Sequence, residues 1–442
     1  MTEPSPFSSA PARPASTAIP AAADEPPTTT GALLTPGRRR LALFALALGG
    51  FGIGASEFVS MGLLPGIAHG LLPDLMAVDP ERGIARAGQA ISAYALGVVV
   101  GAPTLALLGV KMSRTRLIVL LALILAVATA VSALMPTFGL TVLARFLAGV
   151  PHGAYFGVAS LIAASLMGPG SAGKGVALAL SGLTIANLLG VPLFTALGQA
   201  QGWRVVYLCI AAIFALTMAL LMLSLPKRPA PVGRSVADEL RVLRRVQLWA
   251  LVSIVSVGFA GSFTIFSYIA DITEGVAGAS ASFVPWVLAA AGLGMTIGNI
   301  VGGISADRSL FGTIVVGYAL YIVAILVLNL TMATPMGLLL AFGIMNFFHA
   351  SLNPPMQGWL MRISGSSEVL GASMHHAAFN IANAIGAFAG GAVIAAGFGL
   401  RAPAALGLIL ASTGFAMTII VLLTLRARAE ARARRAGAGA AG

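Results

Sequence analysis

Ile185-Ala186-Asn187-Leu188-Leu189-Gly190 and Ile381-Ala382-Asn383-Ala384-Ile385-Gly386 spell one phrase, I-A-N-x-x-G, twice in the same chain, 196 residues apart. Further matches lie outward from it at nearly the same offset. His152 and His349 stand 197 residues apart, as do Leu96-Gly97 with Gly101 and Leu293-Gly294 with Gly298. A chain this rich in Gly and Ala can produce one such match by chance. Three at offsets of 196 and 197 indicate a duplicated unit, and each falls in an apolar run whose partner lies six runs further on.

Those runs are long enough to cross a bilayer, for which a helix needs roughly 20 mostly apolar residues. Twelve are expected, over 41–68, 87–108, 116–135, 138–163, 174–198, 203–225, 247–271, 283–305, 310–332, 335–361, 370–397 and 402–426. The composition agrees: 58% of the 442 residues are hydrophobic and only 9% charged, against roughly 25% charged in soluble domains. The fold class implied is all-α and integral to the membrane. Its twelve transmembrane helices form two pseudo-symmetric six-helix bundles, 41–225 and 247–426. Between them lies a polar linker, 226–246, reading PKRPAPVGRSVADELRVLRRV. Residues 1–40, rich in Pro, Ala, Ser and Thr, read as a disordered tail, and 427–442 as a basic tail against the anionic leaflet. No charged and apolar leader opens the chain in the manner of a cleaved signal peptide.

The 26 Lys and Arg outnumber the 14 Asp and Glu, yet a nucleic-acid reader needs a basic face on a soluble domain, so no nucleic-acid partner is expected. The bases sort by loop instead. With the N-terminus inside, 21 fall on the cytoplasmic side and four, Arg82, Arg86, Arg204 and Arg401, outside, with Arg145 left within a run. Positive charge stays inside, so both termini are expected in the cytoplasm of a cell whose inner membrane holds the protein. Enzyme chemistry has no foothold: no His is followed by Glu, and neither G-x-S-x-G nor a P-loop is present. One cysteine, Cys209, excludes an intrachain disulfide and a Cys-based metal site. No cofactor and no metal are expected.

GIGASEFVSMGLLPGIA (52–68), ARFLAGVPHGAYFGV (144–158), IANLLGVPLFTALGQAQGWRVVY (185–207) and AAFNIANAIGAFAGG (377–391) together resemble the major facilitator superfamily. Within it they are similar to the twelve-span drug:proton antiporters of the arabinose-efflux-like or chloramphenicol-efflux-like branch. The resemblance covers roughly residues 40–425 and implies the major facilitator fold working as a monomer. It further implies export of a small molecule, a drug or sugar-like metabolite, against protons by alternating access, powered by the proton gradient. Uptake or uniport on the same scaffold is the alternative. The chain departs from the family in two places. The loop usually reading G-x-x-x-D-R-x-G-R is here ALLGVKMSR, with Ala106 at the first Gly and Val110 at the acid; Gly303-Ile304-Ser305-Ala306-Asp307-Arg308 keeps the acid in the other half. In the fifth run Val191 separates Gly190 from Pro192, and Phe194 stands where Gly is frequent. Lys111, Arg114, Asp307 and Arg308 are accordingly a cytoplasmic gate by resemblance, or simply topology-setting charge.

Glu57 is the acid set well inside a run and Arg145 the one base. An ionised carboxylate at mid-bilayer costs about 2.5–3.5 kcal/mol on insertion scales, so Glu57 must carry a proton, face a cavity or pair with Arg145. It lies about eleven residues from the outer end of its run, roughly 16 Å, and Arg145 about 11 Å deep from the same face, which sets them at compatible depths. They are read as the proton-coupling pair, or as a static ion pair between helices. His152 and His349 are read as polar groups on opposite cavity walls, or as histidines bonded to backbone. Tyr155, with aromatics such as Tyr94, Phe156, Phe263 and Phe379, is read as cavity lining, or as packing and lipid-facing surface of the kind common in any transmembrane bundle. Asn380 is open between cavity and packing, while Asn187 and Asn383, each close to a glycine, lean towards bonds between packed helices. His375 and His376 are expected at the solvated end of the eleventh run. The few charges argue for a neutral or cationic, partly apolar substrate.

Overall fold

The computed structural model describes residues 34–109, 112–167, 171–226, 243–364 and 368–440. Among these every regular element is a helix. Twelve helices are long and apolar enough to span a membrane: Pro36–Gly62, Pro80–Ala102, Arg114–Leu134, Phe138–Met167, Lys174–Gln201, Trp203–Ser224, Val246–Phe266, Ala281–Arg308, Leu310–Thr331, Pro335–Ser364, Met374–Phe398 and Ala402–Ala427. They are called here the first to twelfth spans. Large apolar side chains such as Leu193, Leu330, Ile420 and Leu423 stay more than 60% exposed on their outer faces, a surface that only hydrocarbon solvates well.

Prolines explain where the helices depart from the apolar runs. The first span begins earlier than expected, at Pro36, capped by the Thr35 hydroxyl accepting from the Arg38 N–H at 3.4 Å. It ends earlier too. Pro65 lacks an N–H and crowds the carbonyl four residues back, so the helix stops at Gly62 and restarts as Leu64–Leu71. The expected continuous span 41–68 is thereby cut, and Glu57 stands five residues from the helix end rather than eleven. In the fifth span Pro192 follows a π-helical turn, Ala186–Gly190, that contains the whole A-N-L-L-G stretch. In the tenth, Pro354 and Pro355 follow a break at Leu352, so Pro335–Ser351 and Asn353–Ser364 are separate helices. The seventh span stops at Phe266, and Asp271, expected within it, lies on a further short helix, Ile269–Gly275. Gly202, with φ +90°, turns the chain between the fifth and sixth spans in a conformation open to glycine.

The last helix runs from Ala402 to Ala440, so most of the expected C-terminal tail, 427–442, continues the twelfth span. Most of the expected linker and of the N-terminal tail lies outside the described residues.

The duplication is visible in the packing. A Cβ on Gly97 would strike the Phe146 carbonyl and one on Gly294 the Gly343 carbonyl; Gly101 meets Val150 and Gly298 meets Phe347 in the same way. Each glycine and each residue it would strike stands 197 residues from its counterpart in the other half. The second span thus lies against the fourth as the eighth lies against the tenth. The two halves meet along the second and eleventh spans, where Ser92 Oγ donates to the Ala384 carbonyl at 3.3 Å. They meet again along the fifth and eighth, where a Cβ on Gly292 would strike the Asn187 carbonyl.

Candidate functional site between the two halves

Glu57 is 3% exposed on the first span, with its neighbours Ser56 and Ser60 also buried. Ser60 Oγ shares a 2.8 Å hydrogen bond with Tyr207 Oη. Arg145, wholly buried on the fourth span, sends Nη1 to Ser56 Oγ at 3.0 Å and Nη2 to the Ser56 carbonyl at 2.9 Å. Its guanidinium lies over the Tyr94 ring at 4.2 Å and the Tyr207 ring at 5.2 Å. Arg145 therefore reaches the residue beside Glu57, and its charge is met by a carbonyl, a hydroxyl and two ring faces. The partner of Glu57 comes from the other half of the molecule. Asn383 Nδ2, on the eleventh span, donates to Glu57 Oε1 at 3.2 Å.

On the face of the site towards the termini, imidazoles and phenyl rings form a continuous run across the halves. Tyr94 Oη bonds His152 Nδ1 at 3.2 Å, and His152 meets Phe156 edge-on at 5.4 Å. Phe156, on the fourth span, stacks on His376 of the eleventh at 6.1 Å. His375 follows and reaches Phe259 of the seventh span, which meets His349 at 4.8 Å. His349 also stacks on Tyr321 and Phe379. It is 1% exposed, and neither ring nitrogen has a partner. His375 is 4% exposed, which corrects the expected solvated position: the eleventh span turns it inward against Phe259.

The other expected cavity groups are distributed unevenly. Tyr155 Oη donates to the Leu46 carbonyl at 3.2 Å over Gly49, turned into the first half. Asn380 Nδ2 donates to the His376 carbonyl of its own helix at 3.0 Å, and its Oδ1 is buried without a partner. Asn187 sits half-buried in the π turn against Gly292.

A sequence model described as the Major Facilitator Superfamily matches residues 46–308. The chain belongs to the major facilitator superfamily. "Inner membrane transport protein YdhP" of Escherichia coli K12 is 37% identical over 378 residues, spanning 86% of this chain and 94% of its own. AraJ of the same strain, also named as a transporter, is 33% identical over 370 residues, 82% of this chain and 91% of its own. Among solved structures, the crystal structure of a bacterial homologue of the human lysosomal transporter Spinster, inward-facing and unoccupied, superposes with a TM-score of 0.63. It does so at 16% identity over 87% of this chain and 97% of that one, a likeness of fold. The chain is thus a multi-pass membrane transporter of this superfamily. Of the gate residues that the family loop suggests, Asp307 and Arg308 end the eighth span, both exposed, and Arg114 opens the third, half-buried behind its Ser113 cap. Lys111 lies outside the described residues.

Sequence reasoning found Glu57 and Arg145, because charge inside an apolar run is conspicuous. It missed Ser56 and Tyr207 as the groups that surround Arg145, and His375 and His376 as members of the imidazole run. Serines and tyrosines are ordinary in helix bundles. The one available signal was position: Ser56 and Ser60 flank the acid one residue before it and three after it.

Proposed function

We propose that this transporter exports a small molecule in exchange for protons by alternating access, with both termini on the cytoplasmic face of an inner membrane and Glu57 as the proton-binding group. The observation that carries the reading is the buried bond between Glu57 of the first half and Asn383 of the second. A group that binds and releases a proton controls the halves only if its partners lie on both of them, and Glu57 is held by the first span and touched by the eleventh. Arg145, on the fourth span and bonded twice to Ser56, stands beside the acid without taking the place of its partner from the other half. The aromatic and imidazole run towards the termini supplies flat apolar surfaces with few charges, suited to a neutral or cationic, partly apolar compound. The uneven placement of Lys and Arg supports the orientation.

The test is transport in liposomes that hold a pH-sensitive dye. With a proton gradient imposed, candidate drugs and sugars are screened for substrate-evoked proton movement. The expected outcome is movement in the native protein that is lost in a folded Glu57→Gln variant which still performs counterflow. Proton movement that survives Glu57→Gln would move the proton site elsewhere, and counterflow with no proton movement in the native protein would make it a uniporter.

A further inference from the structure

Asn383 offers a donor and an acceptor on one amide, and in this structure only the donor is used. Its Nδ2 holds Glu57 Oε1 at 3.2 Å, while its Oδ1 is buried and unpartnered. The side chain is 1% exposed, so water does not compensate freely, and a stranded buried acceptor is unfavourable until a donor reaches it. Oδ1 and Nδ2 share one carbon, which keeps the empty acceptor beside the bonded carboxyl group. A carboxylate carries acceptors alone and has nothing to give that oxygen; a protonated carboxyl carries an O–H and does. With the proton taken up from water onto Glu57, acid and amide can close a two-bond ring, O–H to Oδ1 and Nδ2–H to the acid carbonyl.

We infer that Asn383 is the positioning residue that reads the protonation state of Glu57, binding the neutral acid by two hydrogen bonds and the ionised one by a single bond. Protonation then tightens the joint between the first span and the eleventh, and loss of the proton loosens it. The inference rests on reading Glu57 as the proton site. It also distinguishes the two copies of the repeat. Asn187 matches Asn383, but the positions matching Glu57 at the two repeat offsets are Ser253 and Ile254, so the duplication kept both amides and one acid. The titratable or charged groups on elements packed against the first span are Arg145 on the fourth, Tyr94 on the second and Tyr207 on the sixth. His152 and Tyr155 on the fourth, Arg204 and Cys209 on the sixth, Lys174 on the fifth, His69 on Leu64–Leu71, Asp307 and Arg308 on the eighth, and Asp271 and Glu274 on the short helix Ile269–Gly275 complete the set.

The experiment follows the distance between the halves against pH in the full chain, held in lipid nanodiscs with Cys209 replaced by Ser. Spin labels go on Val78→Cys of the first half and Ser280→Cys of the second, both exposed on the face away from the termini, and pulsed electron resonance gives the distance distribution from pH 5 to pH 9. In this background the short-distance population is expected to grow as pH falls. Glu57→Gln, with a permanent donor and acceptor, should hold the short distance at every pH. Asn383→Leu should reduce the pH-driven change in the population ratio by at least tenfold. The exchanged pair Glu57→Gln with Asn383→Asp rebuilds an acid–amide couple with its members reversed and should restore the pH dependence, which also covers the case of Asn383→Leu failing to fold. A native pH response in Asn383→Leu, with the response lost in Glu57→Gln, would overturn the inference while leaving Glu57 as proton site. So would a folded exchanged pair that stays insensitive to pH. A native response in Glu57→Gln would overturn both.

Discussion

Arg145 is fully buried, and its two terminal nitrogens both end on residue 56. A planar fork makes both bonds at once; an ammonium is a point charge on a flexible stem and holds one such position at a time. Arg145→Lys keeps the charge and is still expected to lower stability by about 2 kcal/mol, the worth of a hydrogen bond to a charged group. Ser56→Ala also removes one bond to the guanidinium and spares the carbonyl one, so about 2 kcal/mol is expected of it too. Thermal unfolding in detergent measures both, and a loss near zero in either variant would contradict the paired geometry. The same site shows what a sequence can reveal at this scale. Glu57 and Arg145 are legible because lone charges stand out in apolar runs. Their relation is not: the residues alone leave proton coupling and a static ion pair both open, and the structure sets Arg145 on Ser56 and Glu57 on Asn383, a partner 326 residues away. An amide that close to a glycine reads as packing, and nothing local distinguishes it from Asn187.

Among the elements, the eighth and tenth helices approach so closely that a Cβ on Gly298 would meet the Phe347 carbonyl, whereas Gly303 on the same helix has open space around it. Gly298→Ala should force the helices apart and cost about 1–3 kcal/mol. Gly303→Ala should be neutral or add up to about 1 kcal/mol through helix propensity, and paired melting curves would decide it. The spacing of these glycines was legible as a repeat because helix contacts recur with the helices. The helix ends were less so, since hydropathy runs through Pro65 and Ser267 without a mark and only the backbone shows the breaks. One break has a titratable consequence. Asp271 on Ile269–Gly275 is 8% exposed with Oδ2 unpartnered. Burial first, and the neighbouring Glu274 charge second, push its carboxyl from the ordinary 3.8 up to about 8. An acid raised in the folded state contributes stability that is full below its ordinary value and is lost as pH rises through the folded one. Its stabilising effect should therefore fade from about pH 4 to about pH 8, and Asp271→Asn should remove that slope. Amide hydrogen exchange over Ile269–Gly275 at pH 5 and pH 9 measures it; an unchanged slope in Asp271→Asn would assign the dependence to Glu274 instead.

In the whole molecule the two six-helix halves meet along seams where first-half side chains such as Phe58, Met61 and Ile91 join the core of the second half, and alternating access would require some of those seams to open while each half stays intact. The seam between the second and eleventh spans is closed here, with Ser92 Oγ 3.3 Å from the Ala384 carbonyl. A contact of comparable length inside one half joins the ninth and twelfth spans, Asn329 Nδ2 to the Ala404 carbonyl at 3.1 Å. Both are side-chain bonds to a backbone carbonyl, one crossing the division that the duplication created and the other lying within one half. With Cys209, the chain's one cysteine, replaced by Ser, the pair Ser92→Cys with Ala384→Cys should stop transport when oxidised and recover it on reduction. The pair Asn329→Cys with Ala404→Cys should leave transport running in both states. Counterflow in liposomes before and after dithiothreitol reads the difference. Transport that continues through an oxidised bond between residues 92 and 384 would mean this seam never opens. Arrest by a bond between residues 329 and 404 would mean that the helices of one half move against each other during the cycle, and the halves could no longer be treated as the moving units.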